Sequence, residues 1–321
     1  MVPIFFTLSG FVIYRSYSNN LKNIKDVLRF QFLRFGRLYP VHITFLTIFI
    51  LIELAKWLVS SELGILSPNS QPFHENNITA IFENIFLVQA FVPKNIHTFN
   101  GPSWSISTEF YTYFLFALAM LYSEKYKFYV FLSLCFGSFL LIVSDYNYGY
   151  GELLSCFFGF FLGCIVAYFE EKVQITLPKY LSLAVFIVIV FFLILKSDRS
   201  YDPAINFLAA ILLLALTVTK DGYLNKVFRF KLFIWLGTIS YSIYMSHLSV
   251  IWIANQFIRV ILKNSEIIIN GQVIPQLTNF ETFVAVTSVI TIVLLVSTLV
   301  NKFIENPFRL KSRRYAHNKI K

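Results

Sequence analysis

Long unbroken apolar stretches dominate the chain and alternate with short polar ones. A half-buried strand alternates apolar and polar residues, whereas these stretches are apolar throughout about 15 to 24 residues. Such segments are typical of helices that cross a membrane, because a helix satisfies its own backbone groups in lipid. The pattern predicts about nine spanning helices, at residues 4–17, 39–59, 104–122, 128–144, 152–169, 181–195, 204–219, 234–258 and 282–303.

A further apolar block, residues 79–92, differs from the others. It is only 14 residues long and contains Glu83, Asn84 and Gln89. This length and polarity predict a short interfacial or re-entrant helix instead of a span. The predicted fold class is therefore all-α, a polytopic transmembrane helical bundle that forms one integral-membrane domain over residues 1–321.

The composition supports a membrane protein and excludes two other classes. Charged residues make up 14% of the chain, against roughly 25% in soluble domains, and the mean hydropathy is +0.66. Aromatic residues at 18% exclude a disordered chain. Cys135, Cys156 and Cys164 lie in apolar blocks without metal-ligand spacing, so we interpret them as packing residues and expect no metal site.

The net charge of +10 comes from basic residues in short loops between apolar blocks, which is how membrane topology is encoded. We therefore expect no nucleic-acid partner. If the loop 18–38 is cytoplasmic, 20 of the 27 Lys and Arg residues lie on that side and 5 lie opposite. This bias predicts a cytoplasmic C-terminal tail, residues 305–321. With nine spans Met1 would then lie outside, which leads to the expectation that a helix is missing upstream.

Few ionisable residues lie within the apolar blocks, and each is costly there. Trp104 is expected to mark the outer interface, and Glu109 lies deeper in the same helix. Its helix face also carries Trp104, Ser105, Thr108 and Thr112. Glu109 is either a structural carboxylate or a base, orienting partner or substrate ligand.

A second polar stripe contains Ser240, Tyr244 and His247, which recur at helical spacing. His247 lies near the middle of its predicted span. It either bridges two helices by hydrogen bonds, or acts in catalysis or substrate positioning.

Two arginines, Arg34 and Arg37, lie three residues apart on one helix face, before a span that Pro40 is expected to start. They are either topology anchors or an anion clamp, since guanidinium groups suit phosphate oxygens. The segment Glu305-Asn306-Pro307-Phe308-Arg309 is either functional or a helix stop followed by an anchor.

Five segments together resemble the bacterial integral-membrane acyltransferase type 3 family, whose members O-acylate surface sugars. In family order they are FFTLSGFVI (5–13), RFGRLYP (34–40), WSISTEFYTY (104–113), SYSIYMSH (240–247) and ENPFR (305–309). The family's first helix, which carries a basic residue and a histidine taken to be catalytic, has no counterpart here. We therefore expect a truncated chain that is inactive alone, and the alternative is a true nine-span variant that uses His247 instead.

The resemblance implies transfer of an acyl group, acetyl in the first instance, from acyl-CoA to a carbohydrate hydroxyl. The acceptor would be of lipopolysaccharide, capsule, exopolysaccharide or peptidoglycan type, and the protein would lie among the lipids of the bacterial cytoplasmic membrane. Acyl-CoA would be a co-substrate, with no bound cofactor. The implied catalytic residues are Glu109, His247 and Tyr244, and the implied acyl-CoA-binding residues are Arg34, Arg37 and Arg309.

These assignments predict an order of groups across the membrane. Arg34 and Arg37 would lie on the donor side, Glu109 on the acceptor side, and Tyr244 and His247 between them. Three alternatives stay open from the sequence: a transporter or flippase of surface sugars, a glycan polymerase or ligase, and a catalytically inactive relative.

Overall fold

A computed structural model describes residues 2–64, 67, 69–93, 97–122, 126–144, 146, 148–172, 177–195, 203–219, 222–269 and 271–319. The helices are α1 (Val2–Tyr17), α2 (Ile24–Leu63), α3 (Ile78–Ile85), α4 (Trp104–Tyr122), α5 (Lys127–Val143), α6 (Gly151–Glu170), α7 (Leu181–Leu195), α8 (Pro203–Val218), α9 (Tyr223–Phe228), α10 (Lys231–Phe257), α11 (Asn279–Val300) and α12 (Asn306–Lys319). Strands β1 (Glu266–Ile269) and β2 (Gln272–Pro275) form an antiparallel hairpin. Several residues in the loop-charge count lie outside the described residues, namely Lys94, Lys125, Lys196, Arg199, Lys220 and Lys321.

Each of the nine predicted apolar blocks coincides with a helix. By length and composition, four described helical stretches are long and apolar enough to cross a membrane, at Ile24–Leu63, Gly151–Glu170, Lys231–Leu262 and Asn279–Asn318. Helices α5, α7 and α8 are apolar but shorter. The chain is therefore a helical membrane protein, and the count of nine spans stays a prediction.

The helix α2 begins 16 residues before Pro40, so the expectation that Pro40 starts a span is wrong. The Asn23 side chain accepts a hydrogen bond from the Asp26 backbone amide, and the Asp26 carboxylate accepts one from the Asn23 backbone amide. These two bonds form a capping box at the start of α2. Pro40 cannot donate a backbone hydrogen bond, yet the helix continues to Gly64. Neighbouring helices support such a proline in apolar surroundings better than water does.

A second proline also fails to end a helix. The predicted stop at Pro307 is wrong, because α12 continues the direction of α11 through a π-helical turn at Asn301–Glu305. In this turn the Asn306 amide donates to the Asn301 carbonyl, five residues back. The wider turn shifts the hydrogen-bond register where Pro307 removes a donor, which is how helices commonly absorb such a defect.

The two halves of α2 mark two ends of the bundle. Near residue 53, Glu53 binds the Lys56 ammonium at 2.9 Å, the Asn76 amide at 2.8 Å and the Phe73 backbone at 2.9 Å. We call this end, with residues 69–77 and the hairpin, the loop end. The opposite end is the tail end, where Ser312 of α12 packs against Gly36 of α2.

The segment 78–103 extends from the loop end to the middle of α2. His42 is buried and its Nε2 lies 2.8 Å from the Asn84 carbonyl oxygen at the end of α3. Eleven residues separate His42 from Glu53, about 16 Å of helix. The geometry agrees with the re-entrant alternative for residues 79–92, in which the described helix is only eight residues long.

Helices α1 and α6 pack closely against each other, and this packing depends on glycine. A Cβ at Gly10 would overlap the Phe160 carbonyl oxygen, and a Cβ at Gly163 would overlap the Thr7 carbonyl oxygen. Small residues at such interfaces let two backbones approach, which is the main source of helix association in lipid. The three cysteines are free and buried, which confirms their interpretation as packing residues.

Replacement of Gly10 by alanine is expected to destabilise the bundle by about 1–3 kcal/mol, because a backbone carbonyl cannot move aside as a flexible side chain can. Thermal unfolding of detergent-solubilised protein measures the effect. Gly137→Ala in α5 is the matched control, since a Cβ there meets nothing within 4 Å. Equal melting temperatures for the two variants would contradict this account of the interface.

Candidate active site

The central feature of the site is a polar face on α4. Ser105, Glu109 and Tyr113 recur every four residues and therefore lie on one side of the helix. Each contacts a different neighbouring helix, as described below. We call these three residues the α4 polar face.

Glu109 is held by two hydroxyl groups. Its Oε1 accepts a hydrogen bond from Ser9 Oγ of α1 at 2.6 Å and another from the Tyr113 hydroxyl. The Ser9 and Tyr113 oxygens are themselves 2.7 Å apart, so the three groups form a closed triangle. This arrangement fixes one carboxylate oxygen, and Oε2 makes no hydrogen bond to the residues that the structure describes.

Arg34 lies next to this triangle, against three aromatic rings. Its guanidinium carbon is 5.1, 5.4 and 5.8 Å from the ring centres of Tyr17, Phe30 and Tyr113, respectively. One guanidinium nitrogen donates to the Tyr17 hydroxyl at 2.8 Å. Cation–π contacts of this kind lower the cost of placing a charge among apolar groups. The Tyr113 side chain thus links Arg34 directly to Glu109.

The other two predicted donor-binding arginines lie on the same side of the bundle. Arg37 is exposed and forms no ion pair within the described part of the chain. Arg309 donates to Asn306 Oδ1 at 2.9 Å and lies one turn before Ser312, the residue that packs on Gly36. Since Gly36 lies between Arg34 and Arg37 in the sequence, α12 brings Arg309 to the same stretch of α2.

Tyr244 and His247 lie at the other end of the α4 polar face. The Tyr244 hydroxyl accepts from Ser105 Oγ at 3.0 Å and donates to the Pro102 carbonyl at 3.0 Å. The His247 Nδ1 is 2.8 Å from the Tyr244 carbonyl oxygen. A carbonyl oxygen only accepts, so Nδ1 carries the hydrogen and Nε2 of the neutral ring has a lone pair for a proton.

The observed order of these groups differs from the predicted one. Arg34 contacts Tyr113, Glu109 follows one turn along α4, and Tyr244 contacts Ser105 one turn further. Glu109 therefore lies between the arginine and Tyr244, and the expectation that Tyr244 and His247 lie between is wrong. This order depends on the register between α4 and α10, which no local sequence pattern encodes.

Two details of the predicted Glu109 face also differ. Thr108 and Thr112 bond back to carbonyls of their own helix, and Thr112 Oγ1 lies 3.4 Å from Cys156 Sγ of α6. They therefore face α6, whereas Glu109 faces α1. Ser103, which precedes Trp104, donates to Asn84 Oδ1, so Trp104 lies level with the middle of α2 and not with its loop end.

A buried carboxylate, Glu305, lies toward the tail end. Glu305 Oε2 accepts hydrogen bonds from Ser242 Oγ at 2.8 Å and from the Asn301 amide at 2.9 Å. The π-helical turn places Glu305 on the inner side of α11. On the same part of α10, the Tyr241 hydroxyl donates to the Leu38 carbonyl at 2.6 Å. These bonds fix α10 and the α11–α12 junction against α2, beside Arg37.

One polar pair has no place among the predicted site residues. His97 Nε2 lies 3.1 Å from Glu152 Oε1 in the first turn of α6. The His97 ring is nearly parallel to the Trp104 indole, at an angle of 20° and a centroid distance of 6.3 Å. Burial lowers the pKa of His97, and the carboxylate, which favours the charged ring, does not offset this. At neutral pH the ring is neutral and donates to Glu152.

Sequence reasoning missed Ser9, Tyr113, His97 and Glu152. Tyr113 lies four residues after Glu109, and Ser9 lies in the FFTLSGFVI segment, so both had a usable signal in helical spacing and motif membership. His97 and Glu152 are 55 residues apart, and nothing in their local sequence indicates that they pair.

The arrangement brings together three kinds of chemical group along one face of α4. A cation lies at one end, a carboxylate with two hydroxyl partners lies in the middle, and a tyrosine with a histidine lies at the other end. Such groups bind an anionic donor, hold reactants in register and accept a proton. The fold and site define a helical membrane protein with a row of partly buried side chains that can donate or accept protons.

Comparison with known proteins places the chain in a family. The model of the acyltransferase 3 family, described as an acyltransferase domain, matches residues 1–302. The chain belongs to this family and is an acyltransferase. The ENPFR segment at 305–309 lies beyond the matched residues. No curated protein and no solved structure matches the chain.

Replacement of Glu152 by glutamine is expected to lower the pKa of His97 further, because the substitution removes a negative charge that favours the protonated ring. Diethyl pyrocarbonate modifies only the neutral imidazole, so its rate at His97, followed against pH by mass spectrometry, reports this pKa. The midpoint should lie below the ordinary value of 6.5 in the unaltered protein and lower still in the variant. An upward shift in the variant would contradict the contact.

Proposed function

We propose that this acyltransferase moves an acyl group, acetyl by preference, from acyl-CoA to a hydroxyl of a cell-surface or lipid-linked carbohydrate. The observation that carries the proposal is the row of polar groups along one face of α4, in which Tyr113 contacts Arg34 and Glu109, and Ser105, one turn further, contacts Tyr244. It supports a path between a cationic donor site and a hydroxyl-bearing acceptor site.

The arginines Arg34, Arg37 and Arg309 form the donor end of this proposal. Acyl-CoA carries several phosphates, and guanidinium groups bind phosphate oxygens in a bidentate fashion. Arg37 is the most accessible of the three, since Arg34 is committed to aromatic rings and the Tyr17 hydroxyl. We propose that Arg37 makes the first contact with the phosphates and that Arg34 lies at the inner end of the donor site.

The proposed reaction uses His247 as the base. The acceptor oxygen attacks the thioester carbonyl carbon, its proton passes to His247 Nε2, and the carbon–sulfur bond breaks. The coenzyme leaves as a thiolate and takes the proton to become a thiol. Tyr244, whose hydroxyl is positioned by Ser105 and Pro102, orients the reactants. The negative charge of Glu109 compensates the positive charge of Arg34.

We further propose that the protein lies in the bacterial cytoplasmic membrane with its tail end, including residues 305–319, on the cytoplasmic side. The bias of Lys and Arg residues supports this orientation. It gives the arginine end access to cytoplasmic acyl-CoA. Membrane lipid and an acceptor of lipopolysaccharide, capsule, exopolysaccharide or peptidoglycan type are the proposed partners.

Glu109→Gln is expected to reduce acetyl transfer at least about 100-fold while the protein stays folded, because glutamine keeps an acceptor oxygen for Ser9 and Tyr113 but loses the charge. Radiolabel transfer from acetyl-CoA, together with thermal unfolding, measures both effects. Glu62→Gln, at an exposed position of α2, is the control. Full activity in the Glu109 variant would make this carboxylate structural.

Arg37→Ala is expected to raise the KM for acetyl-CoA about tenfold, which matches the loss of one charge-assisted hydrogen bond of roughly 1.5 kcal/mol. The rate as a function of acetyl-CoA concentration is the measurement. Arg313→Ala removes an exposed charge of α12 and should change little. Arg34→Ala should also raise the KM for acetyl-CoA. An unchanged KM in both α2 variants would contradict the proposal that Arg34 and Arg37 bind the donor.

A further inference from the structure

The pair formed by His97 and Glu152 lies beside the proposed reaction centre and has no role in the mechanism above. The side chain of His97 is 47% exposed and that of Glu152 is 18% exposed, so both remain accessible to a ligand. Because the neutral His97 ring donates from Nε2 to the carboxylate, its Nδ1 is left as an acceptor. The pair therefore presents acceptor atoms at a partly open surface.

Trp104 adds an apolar face to this pair. Its indole lies nearly parallel to the His97 ring and edge-on to Phe6, at a centroid distance of 5.9 Å. The indole is only partly buried. Hydrogen-bond acceptors next to a partly open aromatic side chain suit a ligand with hydroxyl donors on its edge and C–H groups on its face. A sugar ring has both.

Charge separates this cluster from the donor site. The carboxylate of Glu152 repels phosphate, whereas Arg34 and Arg37 attract it. The anionic donor and a neutral hydroxylic acceptor would thus be directed to different ends of the α4 polar face. The cluster is therefore suited to the acceptor and not to the coenzyme.

The cluster also adjoins the residues that would perform the chemistry. Trp104 precedes Ser105, whose hydroxyl donates to the Tyr244 oxygen at 3.0 Å. A Cβ at Gly101 would lie 3.8 Å from the Cβ of His97 and 3.4 Å from a methyl group of Leu248, the residue after His247. His97 and the His247 segment thus lie on either side of one backbone turn.

We propose that His97, Trp104 and Glu152 form the acceptor subsite and bind a sugar ring through its hydroxyl groups and its apolar face. The inference rests on the proposed function, since it names the place where the acceptor of that reaction would bind. It assigns the three residues binding and positioning, and leaves the proton transfer to His247.

The test uses n-octyl β-D-glucopyranoside as the sugar probe and the 321-residue chain in detergent. Modification of His97 by diethyl pyrocarbonate is followed by mass spectrometry, with and without the probe. The glucoside should slow modification of His97 at least threefold, while tetraethylene glycol monooctyl ether, with the same alkyl tail and no sugar, should not. The exposed His74 is the internal reference. Equal rates at His97 with both octyl compounds would overturn the subsite.

Two variants make the test specific. Glu152→Gln should abolish the protection by the glucoside, and Trp104→Phe, which keeps an aromatic ring, should weaken it. Glu266→Gln is the matched control, because Glu266 is likewise a carboxylate in a pair, 2.6 Å from Arg259, but lies on the hairpin. Protection that survives in both site variants would overturn the assignment, even if one of them folds poorly.

Failure of the subsite and failure of the proposed function are distinguishable. Protection of His97 without any acetyl transfer would remove the proposed function and leave a sugar-binding site. Transfer to the glucoside without protection would keep the function and remove the subsite. If both hold, Glu152→Gln should raise the KM for the glucoside at least tenfold and leave the KM for acetyl-CoA within twofold. Equal changes in both constants would indicate a structural role and overturn the assignment.

Discussion

The close approach of α1 to α6 is the constraint on which the site depends. Gly10 and Gly163 remove the side chains that would hold the two backbones apart. Ser9, the neighbour of Gly10, is then in position to donate to Glu109 at 2.6 Å. A wider spacing would leave the carboxylate with one hydroxyl partner instead of two. The packing of two apolar helices thus sets the electrostatics of a group on a third helix.

Three ionisable groups of the bundle have partners that lower the cost of their positions. Glu109 has two hydroxyls, Glu305 has a serine and an asparagine, and Arg34 has three aromatic rings. A charge in hydrocarbon costs about 2.5–3.5 kcal/mol on insertion scales, so such partners are needed for a stable fold. The same partners hold the side chains in one geometry, which is also what transfer chemistry requires.

Much of the fold follows from the sequence, because unbroken apolar runs and helical membrane segments have one physical cause. The nine predicted apolar blocks coincide with helices for this reason. The behaviour of Pro40 and Pro307 was not, since both predictions applied rules for isolated helices. In the structure, neighbouring helices and a π-helical turn support the backbone at these positions.

Some members of the candidate site were predictable from the sequence, and less of its geometry was. Ionisable residues in apolar blocks are few, so Glu109, His247 and the arginines stood out. Their order depends on the register of α10 against α4, which the Tyr244–Ser105 contact fixes and no local pattern encodes. The pairing of His97 with Glu152 depends on tertiary structure in the same way.

The unbroken helix α2 sets a scale for the whole molecule. Its 40 residues extend about 60 Å, roughly twice the thickness of the hydrocarbon layer. Arg37 and Glu53, 16 residues apart, are separated by about 24 Å, close to that thickness. With these two polar levels near the opposite surfaces, Glu109 lies near the level of Arg37, because the carbonyl of the next residue, Phe110, accepts a hydrogen bond from Gln31 of α2. The Ser105–Tyr244 contact lies one turn of α4 further toward the loop end. For the proposed reaction, the coenzyme would then stay close to its own surface, and the acceptor hydroxyl would be the group that has to reach inward through the bundle.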